Sequence, residues 1–97
     1  MKAVFISYNQ AFHEEILDLM NKSGVKGFTN WELVTGRGSR NGEPHLGDHA
    51  WPTLNSSMLS IMEDNISADF MRRLKKLDED NPLMGLRAFS WNIEGTI

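Results

Sequence analysis

The sequence predicts an α+β domain in which two helices cover one face of a four-stranded antiparallel sheet. Three observations point to it. Short runs of β-branched and aromatic residues recur four times, amphipathic segments of helical period follow the first and third of them, and a long glycine-containing segment separates the second from the third. At 97 residues the chain has material for one core, so a single domain over 1–97 is expected, with no room for a catalytic domain beside it.

Residues 2 to 8 (Lys-Ala-Val-Phe-Ile-Ser-Tyr) are too short and too rich in strand-forming types for a helix, and read as a buried strand. From Ala11 to Ser23, Phe12, Ile16, Leu19 and Met20 recur at helical spacing, Glu14, Glu15 and Asp18 lie elsewhere on the wheel, and Gly24 is placed to end the helix. His13 reads as a surface residue of that helix. Residues 27 to 35 form a second strand with Trp31 and Leu33 on one face and Glu32 on the other. Alternation resumes near Asn55 and runs through Ser57-Met58-Leu59-Ser60-Ile61-Met62 as a third strand.

Ser67 reads as the N-cap of the second helix and Asp69 as a first-turn acid. Phe70, Met71, Leu74 and Leu77 make its apolar stripe, and Arg72, Arg73, Lys75 and Lys76 read as a solvated basic face. Pro82 lies past its end, and Leu86 to Ile93 alternates as a fourth strand, with Phe89, Trp91 and Ile93 on a common face. The order strand, helix, strand, strand, helix, strand is that of a ferredoxin-like βαββαβ sandwich. Its second sheet face is left bare. Phe5, Trp31, Phe89 and Trp91 are more large apolar surface than helices on one side need, so association through that face is expected.

Composition narrows the function classes. A formal charge of −3 supplies no broad basic field for nucleic acid. The absence of cysteine excludes thiol nucleophiles, thiolate zinc sites and disulfides, and fits a reducing cytoplasm. The apolar start is too short for a signal peptide, and no run approaches the roughly 18 apolar residues of a membrane span, so the chain is not expected to be a membrane protein.

The segment from Gly36 to Thr53 is far longer than the roughly two to five residues a hairpin needs, which marks it as the functional candidate. Its glycines allow backbone amides to converge on an anion, and Arg37 and Arg40 suit phosphate or carboxylate; the alternative is a flexible basic loop without a fixed ligand. His45 and His49, with Glu43 and Asp48 nearby, would offer two imidazoles and a carboxylate to a divalent metal, or stand as solvated loop histidines. Trp51 before Pro52 is either an anchor packed on the domain or a contact for a partner. Ser39, His45, His49 and Asp48 would make a triad only on one irregular segment, where preorganisation is poor, so no catalytic residues are assigned.

With Gly36, Gly38 and Gly42 at the spacing of a Gly-x-Gly-Arg-Gln-Lys-Gly run between strands two and three, the chain resembles the PII signal-transduction family. Ser39, Arg40 and Asn41 stand where that family has Arg, Gln and Lys. Gly85-Leu86-Arg87-Ala88-Phe89 stands where it has Gly-Asp-Gly-Lys-Ile-Phe, with Arg87 on the lysine position, Phe89 on the aromatic one and the Asp-Gly pair missing. The sequence also stops at Ile97, before the family's basic C-terminal segment. The pattern is closer to the divergent PII-like proteins, some of which accompany bicarbonate transporters or heavy-metal efflux pumps. The CutA family ranks second among relatives of this fold.

The resemblance implies a cytoplasmic homotrimer with clefts between subunits that take an adenine nucleotide or another small effector, and a T-loop over 36–53 that docks on a target such as a membrane transporter. Carried over to this chain, it implies a non-enzymatic regulator with Gly36, Arg37, Gly38, Ser39 and Arg40 on one wall of the cleft and Arg87 on the other. Three other readings stand beside it: a metal-binding or metal-sensing trimer using His45 and His49, CutA-like or linked to heavy-metal efflux; a small ferredoxin-like enzyme; and a scaffold.

Overall fold

The computed structural model describes residues 1–36 and 54–97, and its elements follow the expected order. Strand β1 (Lys2–Asn9) leads through a 3₁₀ turn (Gln10–Phe12) into helix α1 (His13–Ser23). Then come β2 (Thr29–Val34), β3 (Asn55–Met62), helix α2 (Asp64–Asp80) and β4 (Arg87–Asn92). The sheet order is β2-β3-β1-β4 with every pairing antiparallel, so the first strand is central and β2 and β4 are its edges.

Alternation along β1 decides what each face holds. Val4, Ile6 and Tyr8 point toward the helices and are buried with Ile16 and Met20 of α1, Met58 of β3, and Phe70 and Leu74 of α2. Burying each such side chain contributes about 1.5–3 kcal/mol, enough to hold two short helices that would not persist alone. Helix α1 is delimited at both ends by local chemistry. The Asn9 side chain accepts from the Ala11 amide (2.9 Å) to open the 3₁₀ turn. Gly24, at φ 84°, lets its own amide reach Asn21 (3.2 Å) and the buried Val25 amide reach Met20 (2.9 Å), a left-handed closure that a side chain at position 24 would strain.

Three expectations need correction. Helix α2 starts at Asp64, not at Ser67: the Ser67 amide already donates to the Glu63 carbonyl (2.9 Å), and Ser67 is buried inside the helix. Asp64 supplies the first-turn acid instead. Asp69 lies a turn later, where Arg72 (2.5 Å) and Arg73 (2.9 Å) both bind its carboxylate. Hydrogen bonds from Arg73 and then Arg72 hold that carboxyl below its usual range. The rest of the basic stripe is solvated as expected, with Lys76 on Asp80 at 3.0 Å. Finally, both outer strands are shorter than the sequence suggested. Gly27 and Phe28 precede β2, the Ser60 hydroxyl donating to the Gly27 carbonyl, and Leu86 and Ile93 flank β4.

The face of the sheet away from the helices carries an uncovered apolar field. Phe5 lies opposite Leu59 on one side and Phe89 on the other, and Ala3 lies opposite Ile61 and Trp91. Phe89 is 57% exposed, Trp91 48%, Trp31 45% and Ile61 41%, which is the surplus expected of an open sheet of this size. Among the described residues no helix is long and apolar enough to cross a membrane.

Candidate effector site at the loop root

The long segment leaves the sheet from an irregular stretch of β2. Trp31 pairs with Ser57 and Val34 with Asn55, so three steps along β2 match two along β3. One extra residue is accommodated at Glu32–Leu33, and such a bulge removes carbonyl and amide groups from the ladder. The Ser56 hydroxyl donates to the Glu32 carbonyl and restores one of those bonds. The register break also interrupts the Trp31–Leu33 alternation that the sequence implied, although both side chains are exposed.

On the other face of β3, the buried Asn55 carboxamide donates from Nδ2 to Ser7 Oγ (3.3 Å) and packs against Gly36. A Cβ at position 36 would come within 2.8 Å of Asn55 Nδ2, so a larger residue there would have to displace the Asn55 carboxamide. Ser7 lies directly opposite Arg87, the first residue of β4, which is half-buried with its Nη1 on the Leu86 carbonyl (2.7 Å). Two backbone bonds gather the remaining strands at this end: Gln10 donates to Leu54 (3.0 Å) and Asn9 to Met84 (3.2 Å). Gly36 and Arg87 thus stand at the same end of the sheet, with Asn55 and Ser7 between them. Arg37, Gly38, Ser39, Arg40, His45, His49 and Trp51 lie outside the described residues.

Beneath this end, on the helix side, Tyr8 is completely buried and its hydroxyl is 2.6 Å from His13 Nδ1, the two rings stacked with centroids 6.0 Å apart. His13 is therefore a half-buried partner of the core and not the surface residue that its place on the helical wheel implied. Burial pushes the Tyr8 phenol from 10.0 up to about 12, against the opposing effect of a hydrogen bond with Ser56. An unfolded chain releases this proton near pH 10 and the folded one holds it to about 12. The stability it confers is complete below pH 10 and is lost as pH rises through 12, on the order of 2 kcal/mol. Because the chain has one tyrosine, phenolate absorbance during an alkaline titration reads this group alone. Ionisation near pH 10 in the folded protein would contradict the burial.

The described surface includes two grooves near these elements. The larger, about 540 Å³, runs along α2 beside β4 and is lined by Met71, Leu74, Leu86 and Ala88 with Arg72 and Lys75 at its rim. The smaller, about 370 Å³, is lined by Asn9, Phe12, Leu83 and Met84 and so adjoins the loop root. Among the described residues no three acidic or histidine side chains are grouped to hold a metal.

No family model and no curated protein matches the chain. Solved structures do. CPII of Thiomonas intermedia K12, a nitrogen regulatory PII-like protein bound to ADP, AMP and bicarbonate, superposes with a TM-score of 0.77 at 19% identity, over 95% of this chain and 84% of that one. Its apo form gives a TM-score of 0.72 at 17% identity, over 95% and 87%. A PII-like signalling protein of Thermus thermophilus gives 0.69 at 22% identity, over 95% and 85%. At these identities the likeness is one of architecture, and it meets the likeness read from the glycine-bearing segment: this chain has the fold of the PII-like proteins.

Proposed function

We propose that the chain is a non-enzymatic PII-like regulator that works as a cytoplasmic homotrimer. It binds a small effector, an adenine nucleotide first among the candidates, in clefts between subunits. Residues Gly36 to Arg40 of one subunit form one wall and Arg87 of the next the other. The segment 36–53 then acts as a T-loop that reports occupancy to a partner such as a membrane transporter or efflux pump, with Trp51 as a contact.

The observation that carries this reading is the placement of Gly36 and Arg87 at one end of a sheet whose outer face is uncovered. In that arrangement, apposed sheets would bury the apolar field and bring one subunit's loop root beside the next subunit's arginine. The fold is shared with CPII, which binds ADP, AMP and bicarbonate. A guanidinium on a phosphate contributes about 1.5–3 kcal/mol, so Arg87→Ala is expected to weaken ADP binding roughly ten- to hundredfold.

The test is calorimetric titration with ADP, AMP and bicarbonate, alongside light scattering for mass. Binding of any of the three by a particle of three times the 11.0 kDa chain mass is the expected result. A monomer that binds none of them overturns the reading. Thermal stabilisation by Zn²⁺ or Cu²⁺ alone, abolished in the His45→Ala, His49→Ala double variant, would replace it with the metal-sensing one.

A further inference from the structure

We propose that Asn55 and Ser56 are positioning residues of the effector site. Together they form a two-sided clamp that holds the β2 bulge and thereby keeps Gly36 on the same face of the sheet as Arg87. The proposal rests on the effector reading above for its consequence, though the clamp itself stands on the geometry of the strands.

Successive residues of a strand point to opposite faces, and one inserted residue turns over every side chain that follows. Trp31 lies opposite Ser57, on the outer face that Ser57 shares with Ser7 and Arg87. Were β2 regular, position 34 would fall on the helix side. The extra residue at Glu32–Leu33 instead sets Val34 opposite Asn55, on the outer face, and Gly36 follows it there against the Asn55 side chain. The bulge is thus what puts the start of the long segment and Arg87 on one face.

What holds the bulge are buried polar residues of β3. Met58, Leu59, Ile61 and Met62 are only half of that strand, and its four polar residues are all buried, Asn55 and Ser56 at 3% and 1% exposure among them. Buried polar groups cost stability unless they are paired, and both are paired to fixed points. Ser56 donates to the Glu32 carbonyl that the bulge frees on the helix side, next to Tyr8, its direct neighbour on β1. Asn55 is fastened to Ser7 on the outer side and fills the space over Gly36. Consecutive residues therefore grip β2 from opposite faces.

The clamp is tested without ligand by amide exchange. Ser56→Ala is expected to speed exchange at residues 33–36 at least tenfold while β1 amides stay protected, and Ser56→Thr, which keeps the hydroxyl, to restore the slow rate. Unchanged exchange at 33–36 in Ser56→Ala overturns the clamp even if ADP binds. Thermal melts supply a second check: Gly36→Ala is expected to lower the midpoint in the parent, but to add nothing in Asn55→Ala, where the space over position 36 is open. Additive losses overturn the contact.

The link to the effector is read in ADP affinity. Asn55→Ala is expected to weaken ADP at least tenfold, and the penalty of Arg87→Ala to shrink severalfold in that background, because the Gly36 wall is no longer held on the face that meets the next subunit's Arg87. Equal Arg87→Ala penalties with and without Asn55 overturn the positioning role. Failure of the parent protein to bind ADP while the exchange result holds would remove the functional reading and that role, and leave the clamp as a feature of the fold.

Discussion

Phe89→Glu is expected to convert the assembled protein into folded monomers of 11.0 kDa. Phe89 lies on the edge strand β4 of the uncovered face, opposite Phe5, and is 57% exposed in the single chain, so a carboxylate there meets water in the monomer and costs little. In an assembly that buries this face the same carboxylate would be desolvated without a partner, in every subunit at once, at an effective cost of several kcal/mol each. Light scattering and far-UV circular dichroism of parent and variant decide the matter. An assembled variant of unchanged mass would show that association uses another surface, and a monomeric parent would show that copies of this chain do not cover the face.

Phe70→Ala is expected to reduce the stability of the fold by about 3–5 kcal/mol, through lost burial and the cavity left behind. Phe70 is 1% exposed and belongs to the cluster that joins α2 to β1 and α1. Because domains of this kind hold only about 5–15 kcal/mol in total, the variant should melt more than 10 °C lower, roughly. A loss under about 1 kcal/mol in urea titration would mean that α2 does not depend on this contact. The two phenylalanines make a matched pair: truncation at 70 affects the fold, and a charge at 89 affects association.

Much of this architecture could be read from residue types and their spacing. The strand-forming runs of β1, β3 and β4 and the stripe Phe70, Leu74, Leu77 each belong to an element that is where its pattern implies, and in β1 and α2 burial on one face enforces the pattern directly. Helix ends were less legible. Ser67 has the right side chain for an N-cap, but Ile66 and Phe70 fix the phase of α2 so that the helix extends back to Asp64 and Ser67 is enclosed. His13 was misread for a different reason. A helical wheel locates a residue relative to its own helix, while the Tyr8 hydroxyl that claims His13 comes from a neighbouring strand.

At the candidate site, Gly36 and Arg87 stood out only through the resemblance to the PII family, whereas Asn55 and Ser56 did not stand out at all. Asn55 marked only where the third strand begins, and Ser56 went unremarked. Their meaning depends on the register between β2 and β3, a long-range relation with no local trace except the run of three polar residues Asn55-Ser56-Ser57 where a buried strand would otherwise be apolar. That run was a usable signal, since buried polar residues in a small sheet need partners.

The central position of β1 bears on how the protein is made. Of these four strands β1 is made before its partners, and both its neighbours lie far downstream: Lys2 pairs with Met62 on one side and with Asn92 on the other. Its first edge waits for β3 and its second for β4. Such long-range pairing slows folding and prolongs the exposure of Val4, Phe5 and Ile6 as an apolar strand without a ladder. Nascent chains cut short before residue 87 should therefore be the species that chaperones hold, since they carry the whole helical core but an open central strand.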